Sequence, residues 1–158
     1  MVVHKLNLDS FDDIPYSLIA LHTSLEDYQL AYLINQKLPI LLSKQLDDIH
    51  LPSGNGDTYF SRFSYGNLEY DIWWDLIQNK NTIHLGTVND EIETVNLFKV
   101  NTAAYFLSEF KKVDYFLRIQ NYDQDLEEII STLNNIPRIE SIYQINQNLI
   151  KSKNNLIF

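Results

Sequence analysis

The chain has no cysteine, so disulfides, thiolate metal sites and a cysteine nucleophile are excluded together. Glycine and proline are scarce, with four of each in 158 residues. Gly54-Asn55-Gly56 is too short for a phosphate loop and sits in no strand-to-helix context. Basic residues are also few: 12 Lys and Arg against 21 Asp and Glu leave a formal net charge of -9. A surface of that sign works against the counterion release that drives nucleic-acid binding. No apolar run approaches the roughly 20 residues of a membrane-spanning helix, and residues 1–10 lack the apolar stretch of a signal peptide. These absences point to a cytoplasmic protein with neither nucleic acid nor membrane as partner.

The apolar content is high, 45% with 13% aromatic, which excludes a chain disordered throughout. The length fits one domain, and no linker divides it. We therefore expect a single α+β domain over residues 1–158. Asn, Ile, Tyr, Phe and Lys are abundant, and Lys outnumbers Arg nine to three. An AT-rich coding sequence would give that bias, so the asparagines are not read as function.

Strands are expected at residues 2–8 and 16–22. A helix follows, with Ser24 and Asp27 in capping-box spacing and an apolar stripe of Leu30, Ile34 and Leu38. Pro39 stops it, and residues 40–44 begin another strand. Pro52 to Asp57 reads as an exposed loop. Residues 59–65 and 68–77 read as a hairpin turning at Gly66-Asn67. Its second strand puts Leu68, Tyr70, Ile72, Trp74 and Leu76 on one face and Glu69, Asp71, Trp73 and Asp75 on the other. Further strands are expected at 93–100 and 113–119, with 103–110 of open type. A second amphipathic helix opens at Asp123 and ends at Pro137, and residues 139–145 return as a strand.

The two helical regions echo each other: strand, helix, aliphatic-Pro stop, strand. Two βαβ-like units plus a hairpin imply two helices packed on one face of a largely antiparallel sheet, ferredoxin-like in flavour. A mixed sheet of different strand order is the alternative.

The segment Ile136-Pro137-Arg138-Ile139-Glu140-Ser141-Ile142-Tyr143 resembles the one that names the IPExxxDY family of small bacterial proteins. Ile136, Pro137 and Tyr143 match, while Arg138 and Ile142 stand where the family name has Glu and Asp. His22 to Leu33, with Leu25-Glu26-Asp27-Tyr28, then Phe110-Lys111-Lys112-Val113-Asp114-Tyr115-Phe116-Leu117 and the C-terminal ten residues are also similar to that family. The resemblance implies a bacterial cytoplasmic protein and brings no catalytic residues with it.

Chemistry-bearing patterns are sparse. His4, His22, His50 and His84 show no close metal-ligand spacing, and carboxylate pairs are too common here to single out an acid–base couple. No catalytic residue, cofactor or metal is assigned. Trp73 is the first candidate for function, as an aromatic partner anchor projecting among acids, unless a bulge or a covering loop buries it.

The second candidate is the tail, about 146–158. It carries Lys151 and Lys153 and ends in Leu156-Ile157-Phe158. It reads either as docked on the same chain or a second copy, with Phe158 in the contact, or as a frayed terminus. Charge supports docking: residues 1–79 hold four basic and eleven acidic side chains, residues 80–158 eight and ten.

The leading expectation is a non-enzymatic interaction module that uses a sheet edge or the Trp73 face, with a homodimer as one form of it. The alternative is a small-ligand sensor with an anion held at a strand-to-helix junction, at His22-Thr23-Ser24 or Gln120-Asn121-Tyr122.

Overall fold

The computed structural model describes residues 15–53, 56–83 and 102–158. The strands expected at 2–8 and 93–100 lie outside them. The chain runs β1 (Tyr16–Thr23), α1 (Asp27–Lys37), β2 (Ser43–Lys44), β3 (Ile49–Ser53), β4 (Gly56–Phe60), β5 (Arg62–Asn67) and β6 (Ile72–Gln78). It continues with β7 (Lys80–Ile83), β8 (Thr102–Tyr105), β9 (Tyr115–Gln120), α2 (Leu126–Asn134) and β10 (Ile139–Gln144).

Six strands form the main sheet in the order β10-β1-β9-β6-β5-β2, every neighbouring pair antiparallel. The mixed sheet does not form. Strands β10-β1-β9-β6, with α1 after β1 and α2 between β9 and β10, have the split βαβ order of a ferredoxin-like sheet. The pairs β3–β4 and β7–β8 make separate two-stranded ribbons.

Alternation along each strand divides the apolar residues between two faces. Ile19, Leu21, Trp74, Leu76, Leu117 and Ile119 meet Leu30, Ala31 and Ile34 of α1 and Leu126, Ile129 and Leu133 of α2. Leu18, Ala20, Ile77 and Phe116 face the other way. There they meet Phe60, Phe106, Leu107 and, from the C-terminal segment, Ile145, Ile150 and Leu156.

Local chemistry shifts several expected boundaries. Helix α1 is capped at Glu26, not Ser24: the Glu26 N–H donates to Gln29 Oε1 at 3.1 Å, and the side chains form a capping box. It ends at Leu38, which takes the extended backbone imposed by Pro39. After it only Ser43–Lys44 pair as a strand, because Asn35 clamps Leu42 to the helix through both its N–H (2.8 Å) and its C=O (3.0 Å). Helix α2 starts late because Asp125, not Asp123, accepts from the Glu127 N–H at 2.9 Å.

Within the loop expected at 52–57, Pro52 pairs with Asp57 and Ser53 with Gly56 in the β3–β4 ribbon. The hairpin does not turn at Gly66-Asn67, which pair in β5 with Trp73 and Ile72. It turns at residues 68–71. Asn67 Oδ1 accepts from the N–H groups of Glu69 (3.1 Å) and Tyr70 (3.4 Å), and Asp71 takes the positive φ of 53°. Leu68 and Tyr70 are therefore exposed turn residues and do not continue the buried face of β6.

Candidate functional site

The first junction, His22-Thr23-Ser24, is occupied by the protein's own groups. The Thr23 N–H donates to Asp114 Oδ2 at 2.9 Å, so a carboxylate of β9's approach already sits where an anion was expected. Thr23 Oγ1 donates to Arg138 O (2.8 Å) and accepts from Leu25 N (3.1 Å), and Ser24 takes Arg138 NH2 on both its carbonyl and its hydroxyl. His22 Nε2 lies 3.0 Å from the Tyr143 hydroxyl, their rings stacked at 5.6 Å. Beneath the junction the Tyr115 hydroxyl donates to Leu25 O at 2.9 Å. Burial, with Asp27, Glu26 and Asp114 nearby, raises its pKa far above the ordinary phenol value, so it stays protonated and keeps this donor. At the second junction Asn121, at φ 56°, donates from its side chain to Asp71.

Trp73 is half exposed, at 38%. Its ring lies across Gly66, where an added Cβ would come within 2.2 Å of it, and its Nε1 donates to Asp71 Oδ1 at 3.0 Å. Gly66 thus serves close approach rather than a turn. Trp73 shares its face with Asp75, but that acid is buried and not solvated.

Asp75 pairs across the strands with Arg118. Asp75 Oδ2 accepts from Arg118 NH2 at 2.7 Å and from Nε at 3.2 Å, and Ser64 donates to Oδ1. The remaining guanidinium nitrogen donates to Leu156 O, and the Arg118 carbon lies 4.1 Å from the Phe158 ring centre. Phe158 also meets Phe106 edge-on at 6.4 Å and stands 4.7 Å from the guanidinium of Arg62.

Glu109 ties down the same segment. It accepts from Lys151 N (2.7 Å), Ser152 N (2.8 Å) and Ser152 Oγ (2.9 Å). Burial alone would raise its carboxyl, but the donors from Ser152, its own N–H and Lys151 outweigh that and hold it below the ordinary value. The tail is thus docked along its own sheet, with Phe158 partly exposed.

Among the described residues the outer side of β10 is the edge of the sheet. Register assigns its groups: Ile145 N donates to Leu18 O at 2.8 Å, so in the antiparallel ladder Ile145 and Tyr143 point their amides at β1. Ile142 and Gln144 point theirs away, where among the described residues no strand pairs with them. A bulge near His22 skips Glu140, which leaves residues 141–145, Ser-Ile-Tyr-Gln-Ile, as an uncharged run on the edge. Tyr143 is 42% exposed there. Tyr143 was noted in the sequence only through the family resemblance. A strand-length run without charge in an acidic chain was the signal for it.

Among the described residues no group of three or more His, Asp or Glu is placed to hold a metal ion, and no helix is long and apolar enough to cross a membrane. No protein-family model, curated protein or solved structure matches the chain.

Proposed function

We propose that the protein is a non-enzymatic interaction module and that its partner is a second copy of itself, joined along β10. The observation that carries this is the outward pair Ile142 and Gln144 on an edge free of charge and proline over residues 141–145. Edge strands are ordinarily blunted by lysine, proline or inward charge; among the described residues the protection here is the bulge at Glu140.

A twofold axis through Tyr143 sets Ile142 of each copy against Gln144 of the other, and each pair exchanges two backbone hydrogen bonds. Tyr143 then faces its own counterpart in the close, non-hydrogen-bonded position that favours aromatic pairs. An uncharged edge offers nothing to a strongly charged partner, which supports self-pairing. The net charge of -9 per chain opposes association at low ionic strength, so salt should strengthen the dimer.

Membership of the IPExxxDY family, and with it a bacterial cytoplasmic setting, belongs to the same proposal. Its support is the sequence resemblance at Ile136, Pro137 and Tyr143.

Light scattering behind size-exclusion chromatography tests the reading. Wild type should shift from monomer to dimer with concentration, more readily in salt. Gln144→Pro deletes an outward N–H and no ladder bond, and Tyr143→Lys sets two cations face to face; both should stay monomeric. A wild type that is monomeric throughout, or variants that dimerise as it does, would overturn the proposal.

A further inference from the structure

Phe158 borders a cleft of about 210 Å³ whose wall also includes Asp47, His50, Arg62, Asn155 and Ile157. This is smaller than the roughly 300–1,000 Å³ that drug-sized molecules occupy, so the cleft suits a small metabolite. Pairing within the protein accounts for two of the four ionisable side chains that line it. His50 Nε2 is 3.1 Å from Asp57 Oδ1, and Asp48 is held by Lys44. Two charges are left over. Asp47 has no partner among the described residues, and neither has the guanidinium of Arg62, whose Nε is buried without an acceptor.

The contrast with Arg118 is direct, because both guanidiniums lie against the Phe158 ring. That of Arg118 is neutralised by Asp75. That of Arg62 is a planar fork positioned on an aromatic ring with no side-chain carboxylate paired to it among the described residues, an arrangement suited to bidentate recognition of one. Asp47 borders the same cleft yet makes no ion pair with Arg62. A simple anion would be repelled by Asp47 and by a chain of net charge -9, whereas a zwitterion meets neither obstacle.

We propose that this cleft binds an apolar α-amino acid, with its carboxylate on Arg62, its ammonium on Asp47 and its side chain against Ile157 and Phe158. The proposal is independent of the β10 edge.

Isothermal titration with L-valine, L-leucine and L-phenylalanine tests it, alongside isocaproate and isoamylamine, which are leucine without its ammonium and without its carboxylate. At least one amino acid should bind saturably, and both half-molecules more weakly. Asp47 is exposed on a loop, so Asp47→Asn should fold as wild type. It should weaken amino-acid binding about tenfold, the worth of one charge contact, while leaving isocaproate binding equal or stronger. Arg62→Gln should lose both amino acid and isocaproate. The proposal is overturned if no amino acid binds saturably to wild type, or if Asp47→Asn binds amino acids with wild-type affinity.

Discussion

On one face of the sheet the covering chain is two helices, and the contacts are apolar side chains repeating at helical and strand spacing. On the other it is irregular: the segment around Phe106 to Phe110, the β3–β4 ribbon and the C-terminal turns, fastened by side chains that bond to distant backbone. Asn79 shows the second style. It is fully buried, and its side chain donates to Phe110 O (2.9 Å) and Val113 O (2.8 Å) and accepts from Leu107 N (2.9 Å). Helices satisfy their own backbone and need only apolar surface to dock. Irregular chain brings unpaired N–H and C=O groups to the sheet, and polar side chains must meet them. Both faces are packed with apolar side chains, but the covering chain of the tail face depends more on polar side chains that bond to distant backbone.

The sharpest way to break this contrast is Asp75→Ala, which strands the buried Arg118 and should cost about 4 kcal/mol in denaturant unfolding. The paired replacement Asp75→Leu with Arg118→Met should recover most of that loss. If the two single costs simply add, the pair does not act as a unit. On the helix face Leu133→Ala should cost about 3 kcal/mol through transfer and cavity terms alone, and should add to Asp75→Ala because the sheet separates the two sites.

Asn79→Ala should cost about 2 kcal/mol, the penalty for buried backbone groups left unsatisfied, and should raise proteolytic cutting near Phe106 more than elsewhere. Glu109 gives the smallest effect, and its sign is fixed by its lowered pKa. A carboxyl depressed in the folded state stabilises fully above its ordinary value of 4.5 and loses that contribution as pH falls through the lower folded value. The melting-temperature gap between wild type and Glu109→Gln should be flat above that value and close below it.

The same contrast sets what could be read from the sequence. Helices α1 and α2, strands β1, β9 and β10 and the two-helix antiparallel architecture follow from periodicity and the stops at Pro39 and Pro137. The hairpin of β5 and β6 was legible, but its turn lies at residues 68–71 and not at Gly66-Asn67. Gly66-Asn67 carries a turn-like composition, yet the glycine is there to admit the Trp73 ring and the asparagine to brace the turn that follows. The tail face was barely legible. Asp75 with Arg118, Asn79 with Leu107 and Glu109 with Ser152 join residues 28 to 43 positions apart, and no local pattern encodes such pairs. Arg62 was overlooked for a related reason: an arginine in a strand signals nothing until its lack of a partner is visible.

Amide hydrogen exchange along β10 tests the proposed self-pairing most directly. Tyr143 and Ile145 point inward and should be protected at every protein concentration. Ile142 and Gln144 should exchange as open-edge amides in dilute protein and gain protection as concentration rises, in step with the dimer fraction. If Ile142 and Gln144 exchange freely at all concentrations while Tyr143 stays protected, β10 is an edge that nothing joins.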